Sequence, residues 1–209
     1  MTRARGRQPS AVATVAHADR AAADVAGAGQ DTLPVKLIGL LAEIGDQPPM
    51  IAIAGGTLVA GLVGQRRDVA RVGARMLAAH LVATGIKTLV KHRFDRRRPA
   101  AAEDTGDDHF RPGSSHAHDE NSFPSGHTAG AVAVARAFGR DFPEQAAAAG
   151  IGAAAVAAAQ PITGSHFVSD VAAGAAIGWI AEAAVSACLD RIERAIAGPD
   201  AAADRQGAR

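Results

Sequence analysis

Apolar residues are concentrated in five stretches of the chain, and the segments between them carry most of the charges. Two of these stretches, residues 47–65 and 145–165, contain no charged residue at all. A helix of about 19 residues is about 28 Å long, which is close to the hydrocarbon thickness of a bilayer. The pattern therefore predicts an all-α fold, namely a membrane-embedded bundle of about five to six helices. The five stretches are residues 47–65, 71–90, 128–138, 145–165 and 171–189.

Two weaker segments complete this pattern. Residues 33–45 have the apolar spacing of a helix but are too short to span a bilayer, so an interfacial helix is expected there. The stretch 128–138 is short and is interrupted by Arg136. Alanine-rich helices also form the cores of soluble bundles, and the mean hydropathy is only +0.05. The two long uncharged runs nevertheless favour a membrane protein, because a soluble domain of this size rarely needs them.

The two ends of the chain differ from its centre. Residues 1–32 are rich in Ala, Gly, Arg and Asp without a sustained apolar face, so we expect a disordered or loosely helical cytoplasmic tail. The basic residues 1–7 are not followed by an apolar core, as a secretory signal peptide would require. Residues 33–195 are then expected to form a single domain, followed by a flexible C-terminal tail at 196–209.

Composition argues against some partners. The formal net charge is +1, only 3% of the residues are aromatic, and there is no Tyr. The chain therefore offers neither a strong positive field nor surfaces on which bases could stack, and no nucleic-acid partner is expected. A single cysteine, Cys188, excludes an internal disulfide bond. No pattern in the sequence predicts an oligomeric state.

Three polar motifs lie at the ends of the apolar stretches, and their side chains suit the chemistry of a phosphoryl group. Lysine and arginine neutralise phosphate oxygens, and a helix that begins at a Ser-Gly pair offers backbone N–H groups to an anion. Two histidines and a carboxylate can supply a nucleophile, an acid and an orienting group. Taken one at a time, the motifs could instead be the basic end of a helix, a turn that caps a helix, and a pair of side chains on a helix surface. The motifs are Lys91-x6-Arg98-Pro99, Pro124-Ser125-Gly126-His127 and His166-x3-Asp170.

The charges between the stretches predict an orientation in the membrane. Arg66, Arg67 and Arg71 form a short basic loop, which is typical of the cytoplasmic side. If the helices cross the bilayer in turn, all three motifs meet at the opposite face. We therefore expect a multi-pass protein of the inner (plasma) membrane whose site faces the extracytoplasmic side.

The motifs resemble those of the type 2 phosphatidic acid phosphatase superfamily, whose pattern is Lys-x6-Arg-Pro, then Pro-Ser-Gly-His, then Ser-Arg-x5-His-x3-Asp. The resemblance covers residues 91–170. It implies that His166 is a nucleophile that forms a phosphohistidine, that Asp170 orients it, and that His127 protonates the leaving oxygen. It further implies phosphate-binding roles for the remaining motif residues, Lys91, Arg98, Ser125 and Gly126.

One part of the third motif departs from the family pattern. Ala159 and Gln160 occupy the positions of the family's Ser and Arg. Gln160 would therefore offer the phosphate an amide donor without a charge, and losing a charged contact at a transition state commonly costs about 2–4 kcal/mol. Arg96 and Arg97 are candidates for a compensating cation, although their spacing from Arg98 does not place them on the phosphate.

The resemblance implies an enzyme that needs no metal and no cofactor and that hydrolyses lipid phosphates, with phosphatidate, phosphatidylglycerol phosphate and polyprenyl diphosphates as candidate substrates. A non-catalytic membrane protein that binds phosphorylated lipid is an alternative, with Gln160 as the sign of lost turnover. A vanadium-dependent haloperoxidase is a further alternative, since the core of those enzymes is similar to that of this family.

The segment between the first two motifs, residues 100–122, is strongly polar. Its Asp, Glu and His residues could suggest a metal cluster, but their spacing matches no closed zinc pattern. The segment is rich in Gly, Pro and Ser, so we expect a mobile loop over the active site.

Overall fold

The computed structural model describes residues 11–27, 32–105, 107 and 109–197, which form a helical bundle with one small β-ribbon. The helices are α1 (Ala11–Gly27), α2 (Leu33–Ala42), α3 (Gln47–Val63), α4 (Arg67–Lys91), α5 (Pro99–Thr105), α6 (Gly126–Asp141), α7 (Ala146–Ile162) and α8 (Val168–Ala197). The strands β1 (Phe94–Arg96) and β2 (Phe110–Pro112) pair antiparallel between α4 and α6. The predicted all-α bundle is confirmed, and the ribbon is its one addition within the described residues.

Helix α6 lies in the middle of the bundle, packed against α4, α7 and α8, while α3 packs along α4. The side chains between these helices are small, which lets the backbones come close and make extensive van der Waals contact. This explains how a sequence with few large apolar side chains forms a core. The completely buried alanines are Ala54, Ala79, Ala83, Ala133, Ala137 and Ala181.

Two glycines of α8 set its distance from α6. A Cβ atom on Gly174 would lie 2.4 Å from the carbonyl oxygen of Ser125, and one on Gly178 would lie 2.4 Å from that of Ala129. Any side chain at either position would push the two helices apart. Their close approach holds the beginning of α6, which carries the second motif, against the first turns of α8.

Three of the described helical segments are long and apolar enough to cross a membrane, and up to four if a bent pair counts as one span. The bent pair is α2 with α3, which meet at an angle of 48°. Helix α6 has 16 residues and does not meet this measure by itself. Its neighbours shield α6 from lipid, which accounts for a shorter and less apolar helix there. The three segments are Arg67–Lys91, Pro143–Ile162 and Val168–Ile196.

The order of the helices brings the motifs to one end of the bundle, here called the motif end. Helices α4 and α7 finish at this end, whereas α6 and α8 begin there. The opposite end, here called the basic-loop end, holds the turn from α3 to α4 and the turn from α6 to α7. The sequence-based expectation that the motifs share one face is therefore met by the fold.

The N-terminal segment differs from the expectation of a loose cytoplasmic tail. Residues 11–27 form helix α1, and its Asp19 is buried with a carboxylate oxygen 2.7 Å from the guanidinium of Arg96. Arg96 lies at the motif end, so α1 and the motifs are on the same side. A cytoplasmic N-terminal tail and an extracytoplasmic site cannot both be correct. Residues 1–10, 28–31 and 198–209 lie outside the described residues, and the expected C-terminal tail falls almost entirely among them.

Candidate active site

Backbone and side-chain hydrogen bonds tie the three motifs together. A guanidinium nitrogen of Arg98 donates to the carbonyl oxygen of Ser165 at 3.1 Å, next to His166. The backbone N–H of Ser125 donates to the carbonyl oxygen of Asp170 at 3.0 Å. The first motif therefore contacts the third, and the second contacts the third independently. Residues that are up to about 80 positions apart in the chain form one site.

His166 and Asp170 are buried together at the start of α8, with 2% and 0% of their surfaces exposed. The His166 Nδ1 atom is 3.8 Å from Asp170 Oδ2, which is too long for a direct hydrogen bond. The hydroxyl of Ser122 lies between them, 3.4 Å from Nδ1 and 2.6 Å from Oδ2. The structure thus connects the histidine and the carboxylate through a serine that the sequence analysis did not identify.

This arrangement determines which nitrogen of His166 is available. The Ser122 hydroxyl has one proton, which it donates to Asp170, so it can only accept from His166 Nδ1. The ring proton is then on Nδ1, and the lone pair of Nε2 is free. A neutral imidazole with a free Nε2 lone pair is the form that can act as a nucleophile.

The protonation state of His166 agrees with this geometry. Burial lowers the pKa of His166 to about 4, the neighbouring Asp170 opposes the shift, and the positive charge of Arg98 adds to it. A buried imidazole resists protonation because the charged form would lose its hydration. His166 is therefore neutral at pH 7.

Asp170 has a further partner, Arg96, which the sequence analysis considered only as a possible phosphate contact. One guanidinium nitrogen of Arg96 donates to Asp170 Oδ1 at 2.6 Å, and the guanidinium lies 4.1 Å from the centre of the Phe167 ring. The backbone N–H of Phe167 donates to the other carboxylate oxygen at 2.9 Å. Arg96 therefore faces Asp170 instead of replacing the missing arginine at position 160. The tripeptide Arg96-Arg97-Arg98 alone does not reveal which arginine takes which role.

The predicted phosphate-binding cations lie at the same end and are held by carbonyl groups. The Lys91 ammonium donates to the carbonyl oxygen of Asn121 at 2.6 Å, and Arg98 Nε donates to that of His118 at 3.0 Å. Neither side chain has a carboxylate within 4 Å among the described residues. Carbonyl groups orient these side chains without a compensating negative charge, so an anionic ligand would be the first to pair with them.

Lys87 is a third cation in this region, one helical turn before Lys91 on α4. A Cβ atom on Gly126 would lie 3.1 Å from the Lys87 ammonium nitrogen, so the glycine leaves room for this side chain. Lys87 falls within the predicted apolar stretch 71–90 and was not predicted as part of the site. Its i,i+4 spacing from Lys91 was the signal that both lie on one helix face.

Ser125 and Gly126 begin α6 as the sequence predicted. The Ser125 hydroxyl accepts from the backbone N–H of Thr128 at 3.4 Å and is completely buried. Ser125 thus caps the helix, and the first turn of α6 faces the motif end with its positive dipole.

His127 lies in the first turn of α6 with two carboxylates opposite its ring. Its Nε2 atom is 3.8 Å from Glu43 Oε2 and 4.0 Å from Asp46 Oδ1. Burial lowers the pKa of His127 below its ordinary value, while Asp46 and Glu43 oppose this effect. Among the described residues, the ring nitrogen of His127 and one carboxylate oxygen each of Glu43 and Asp46 also lie within 4.8 Å of one another, a spacing at which three groups could bind a metal ion. Glu43 and Asp46 were not predicted as part of the site.

Gln160 is buried at the end of α7, with 2% of its surface exposed. Its amide nitrogen donates to the carbonyl oxygen of Val156 in its own helix at 3.2 Å. Its backbone carbonyl accepts from the N–H groups of Ser165 and His166, at 3.0 and 3.3 Å. The backbone of Gln160 therefore supports the turn that carries His166, whereas its side-chain amide is bound within α7.

The described residues of the polar segment 100–122 include a helix and a strand, where the sequence predicted a loop. It contains most of α5 and all of β2, and β2 pairs with β1 within the first motif. Phe94, Phe110 and Phe123 pack with ring centres 5.3–6.3 Å apart, and the Asp95 carboxylate accepts from the N–H of Ser115 at 2.7 Å. Aromatic packing at three widely spaced positions could not be read from the local composition.

An apolar cavity of about 700 Å³ lies between α2, α3, α6 and α7. It begins near the motif end, where it is lined by Ala42, Ile44 and Ala159, and reaches Phe138 and Ala149 towards the basic-loop end. Gly45, next to this lining, is close to both Val156 and the backbone of His127. The cavity therefore reaches the neighbourhood of the second motif.

Comparison with known proteins agrees with this fold. The PAP2 superfamily model matches residues 72–194. A lipid A 1-phosphatase of Rhizobium etli is 32% identical over 164 residues, which are 73% of this chain and 70% of that protein. The chain belongs to the PAP2 superfamily, a family of lipid phosphatases.

Two solved structures share the fold. A transmembrane PAP2-type phosphatidylglycerolphosphate phosphatase from Bacillus subtilis is similar with a TM-score of 0.59 and 20% identity, over 87% of this chain and 89% of that one. Aquifex aeolicus LpxE is similar with a TM-score of 0.54 and 19% identity, over 83% and 94% of the two chains. Three described helical segments long and apolar enough to cross a bilayer, and a fold shared with a transmembrane phosphatase, indicate a membrane protein, as the sequence pattern predicted.

Proposed function

We propose that this chain is a metal-independent lipid phosphate phosphatase that works through a phosphohistidine on His166. The observation that carries this proposal is the neutral, buried His166, whose Nδ1 is connected to Asp170 through Ser122. This nucleophile lies beside cations that pair with no carboxylate in the described part of the chain.

In the first step, Lys91 and Arg98 bind the phosphate oxygens together with the N-terminal amides of α6 at Ser125 and Gly126. The Nε2 lone pair of His166 attacks phosphorus, and the bond from phosphorus to the leaving oxygen breaks. His127 gives its proton to that oxygen. The ring of His166 becomes positively charged, and Asp170 stabilises this charge through Ser122.

In the second step, water attacks the phosphohistidine and the N–P bond breaks. His127 takes a proton from the water, inorganic phosphate leaves, and His166 returns to its neutral form. His127 needs to be protonated for the first step and neutral for the second. The carboxylates of Glu43 and Asp46 favour the protonated form and oppose the effect of burial.

The apolar cavity supports a lipid as the substrate. It reaches the neighbourhood of His127 and has room for hydrocarbon, while the cations at the motif end would bind the head group. Among possible head groups, a glycolipid 1-phosphate is the first to test, because a relative that is 32% identical is a lipid A 1-phosphatase. Phosphatidylglycerol phosphate, phosphatidate and polyprenyl diphosphates complete the panel.

Phosphate release from lipid vesicles by the purified protein tests this function. We expect release from at least one lipid phosphate, unchanged by a chelator. Binding of the same vesicles without release would instead support the non-catalytic alternative. Loss of activity with the chelator would contradict the metal-independent mechanism.

The leaving group tests the role of His127. His127→Ala should reduce the hydrolysis of a lipid phosphate by roughly 10²–10⁴-fold but affect an activated aryl phosphate much less, because a good leaving group needs no acid. An equal loss on both substrates would assign the acid to another residue.

A further inference from the structure

Helix α1 places a carboxylate next to the residues that support His166. Asp19, in the middle of α1, has only 4% of its surface exposed. One of its oxygens is 2.7 Å from a guanidinium nitrogen of Arg96, and the other accepts from the backbone N–H of Ser169 at 3.0 Å. The Ser169 hydroxyl also donates to Asp19 Oδ2 at 2.5 Å.

These contacts connect Asp19 to the site by two routes. Arg96 uses one guanidinium nitrogen for Asp19 and the other for Asp170, so it bridges the two carboxylates. Asp19 also caps the first turn of α8, although it is about 150 positions away in the chain. The capped turn carries Asp170 and directly follows His166.

The net charge of Asp19, Arg96 and Asp170 affects how well the site can stabilise a positively charged His166. A buried Arg96 paired with Asp170 alone would neutralise that carboxylate and weaken its support for a positively charged His166. With Asp19 as a second partner, the three buried side chains carry a net charge of −1. This negative charge can stabilise the imidazolium that forms when His166 attacks phosphorus.

We propose that Asp19 is a positioning residue, through which helix α1 forms part of the active site. It acts on His166 through Arg96 and Asp170 and does not contact the substrate. This inference rests on the proposed function, because it assumes that His166 becomes positively charged during turnover.

The variant Asp19→Asn tests the role of the charge with little change in shape. We expect kcat to fall at least about tenfold, with KM within about twofold of wild type and less phosphohistidine trapped during turnover. Asp19→Glu should recover part of the activity. Asp24→Asn, a change to an exposed carboxylate on the same helix, is the matched control and should leave kcat unchanged.

A double-mutant cycle tests the route through Arg96. In an Arg96→Gln background, Asp19→Asn should have little further effect on kcat, because the bridge is already lost. Losses that multiply in the double variant would overturn the route. A kcat of Asp19→Asn within about twofold of wild type would overturn the proposal itself, provided that the wild type is active. An inactive wild type would contradict the proposed function instead.

Hydrogen exchange gives a readout that does not depend on turnover. Arg96→Gln should speed the exchange of backbone amides in α1 relative to the same helix in wild type, because Asp19 loses its buried partner. Unchanged exchange in α1 would show that this contact does not hold the helix on the site, and would overturn the proposal even if Asp19→Asn cannot be purified in folded form.

Discussion

Both ends of the bundle bury charged side chains, but they use them differently. At the basic-loop end, Arg75 lies 3.2 Å from Asp141 and 3.3 Å from Asp190. Glu182 is 1% exposed and lies 3.0 Å from Arg136, while its other oxygen accepts from Ser186 at 2.6 Å. Every one of these charges has an opposite charge beside it.

At the motif end, Arg96 is paired with Asp170 and Asp19, but two other cations have no carboxylate beside them among the described residues. Lys91 and Arg98 contact carbonyl groups, and the carboxylate of Asp170 is held by Arg96 and Ser122. Positive charge is therefore left for a ligand on one side of His166, while negative charge supports the histidine from the other. The comparison indicates that the charges at the basic-loop end hold the fold, whereas those at the motif end are arranged for a bound anion.

The largest expected effect is at the motif end. His166→Ala should lower phosphate release by roughly 10³-fold or more while the protein stays folded, because it removes the nucleophile. Steady-state release and trapping of acid-labile phosphate on the protein measure this. His118→Ala, which changes an exposed histidine at the same end, is the control. Substantial remaining activity would show that another group attacks phosphorus.

Arg75→Met should show the opposite behaviour at the basic-loop end. It leaves Asp141 and Asp190 with only the half-exposed Arg71 and Arg140 beside them, and breaking a buried pair typically costs up to about 3–5 kcal/mol of stability. The folded fraction should keep the kcat of wild type, since no motif residue is touched. Unfolding in detergent, followed by circular dichroism, measures the change. A variant as stable as wild type would contradict the structural role of this network.

The pH dependence of stability should follow His166. Its pKa is about 4 in the folded protein, against about 6.5 in an unfolded chain. As pH falls from about 6.5, the unfolded chain binds a proton that the folded protein does not, so stability is lost until about pH 4 and then levels off. At about 1.4 kcal/mol per pKa unit, the loss approaches about 3–4 kcal/mol.

Comparing wild type with His166→Asn isolates this contribution. The midpoint of thermal unfolding should fall more steeply for wild type than for the variant between about pH 6.5 and pH 4. Parallel curves would mean that His166 is protonated in the folded protein.

Lys91→Met sharpens the comparison, because it should weaken function and strengthen the fold. Vanadate, which resembles the transition state, should bind roughly 10–100-fold more weakly. Stability should rise by about 1 kcal/mol, since a cation without a carboxylate partner is removed. Inhibition constants and unfolding midpoints of the same preparation give both values. A loss of stability comparable to that of Arg75→Met would show that the two ends do not differ in this way.

The smallest expected effect concerns Gln160. If this position can reach the phosphate, Gln160→Arg should tighten vanadate inhibition by up to roughly tenfold, as a charge-assisted contact would. Gln160→Lys tests whether charge alone is sufficient. Unchanged or weaker inhibition would mean that the cations already present, including Lys87, complete the site without it.

Much of the site could be predicted from local sequence. The spacing of Lys91 and Arg98, the Ser125-Gly126 helix start, and His166 four residues before Asp170 all follow from patterns within one segment. The bundle itself was predictable from the uncharged runs. The roles of these residues in catalysis remain predictions that the experiments above test.

The residues that were missed are those whose role depends on a distant partner. Ser122 gains its role only because it lies between His166 and Asp170. Asp19 had no visible signal, since residues 1–32 have no sustained apolar face, and its partners lie about 80 and 150 positions further along. The assignment of Arg96 to Asp170, and of Arg98 to the carbonyls around the site, depends on the direction in which the chain leaves α4.

The sequence by itself determined which chemistry is available and that the apolar segments are helical, because motif spacing and apolar periodicity are local properties. Only the tertiary structure decided how the charges are paired. Electrostatic interactions depend on distance and burial in three dimensions. Both are set by the way the helices pack against one another through alanine and glycine. For this reason similar charged residues came to hold the fold at one end and to surround the proposed phosphate site at the other.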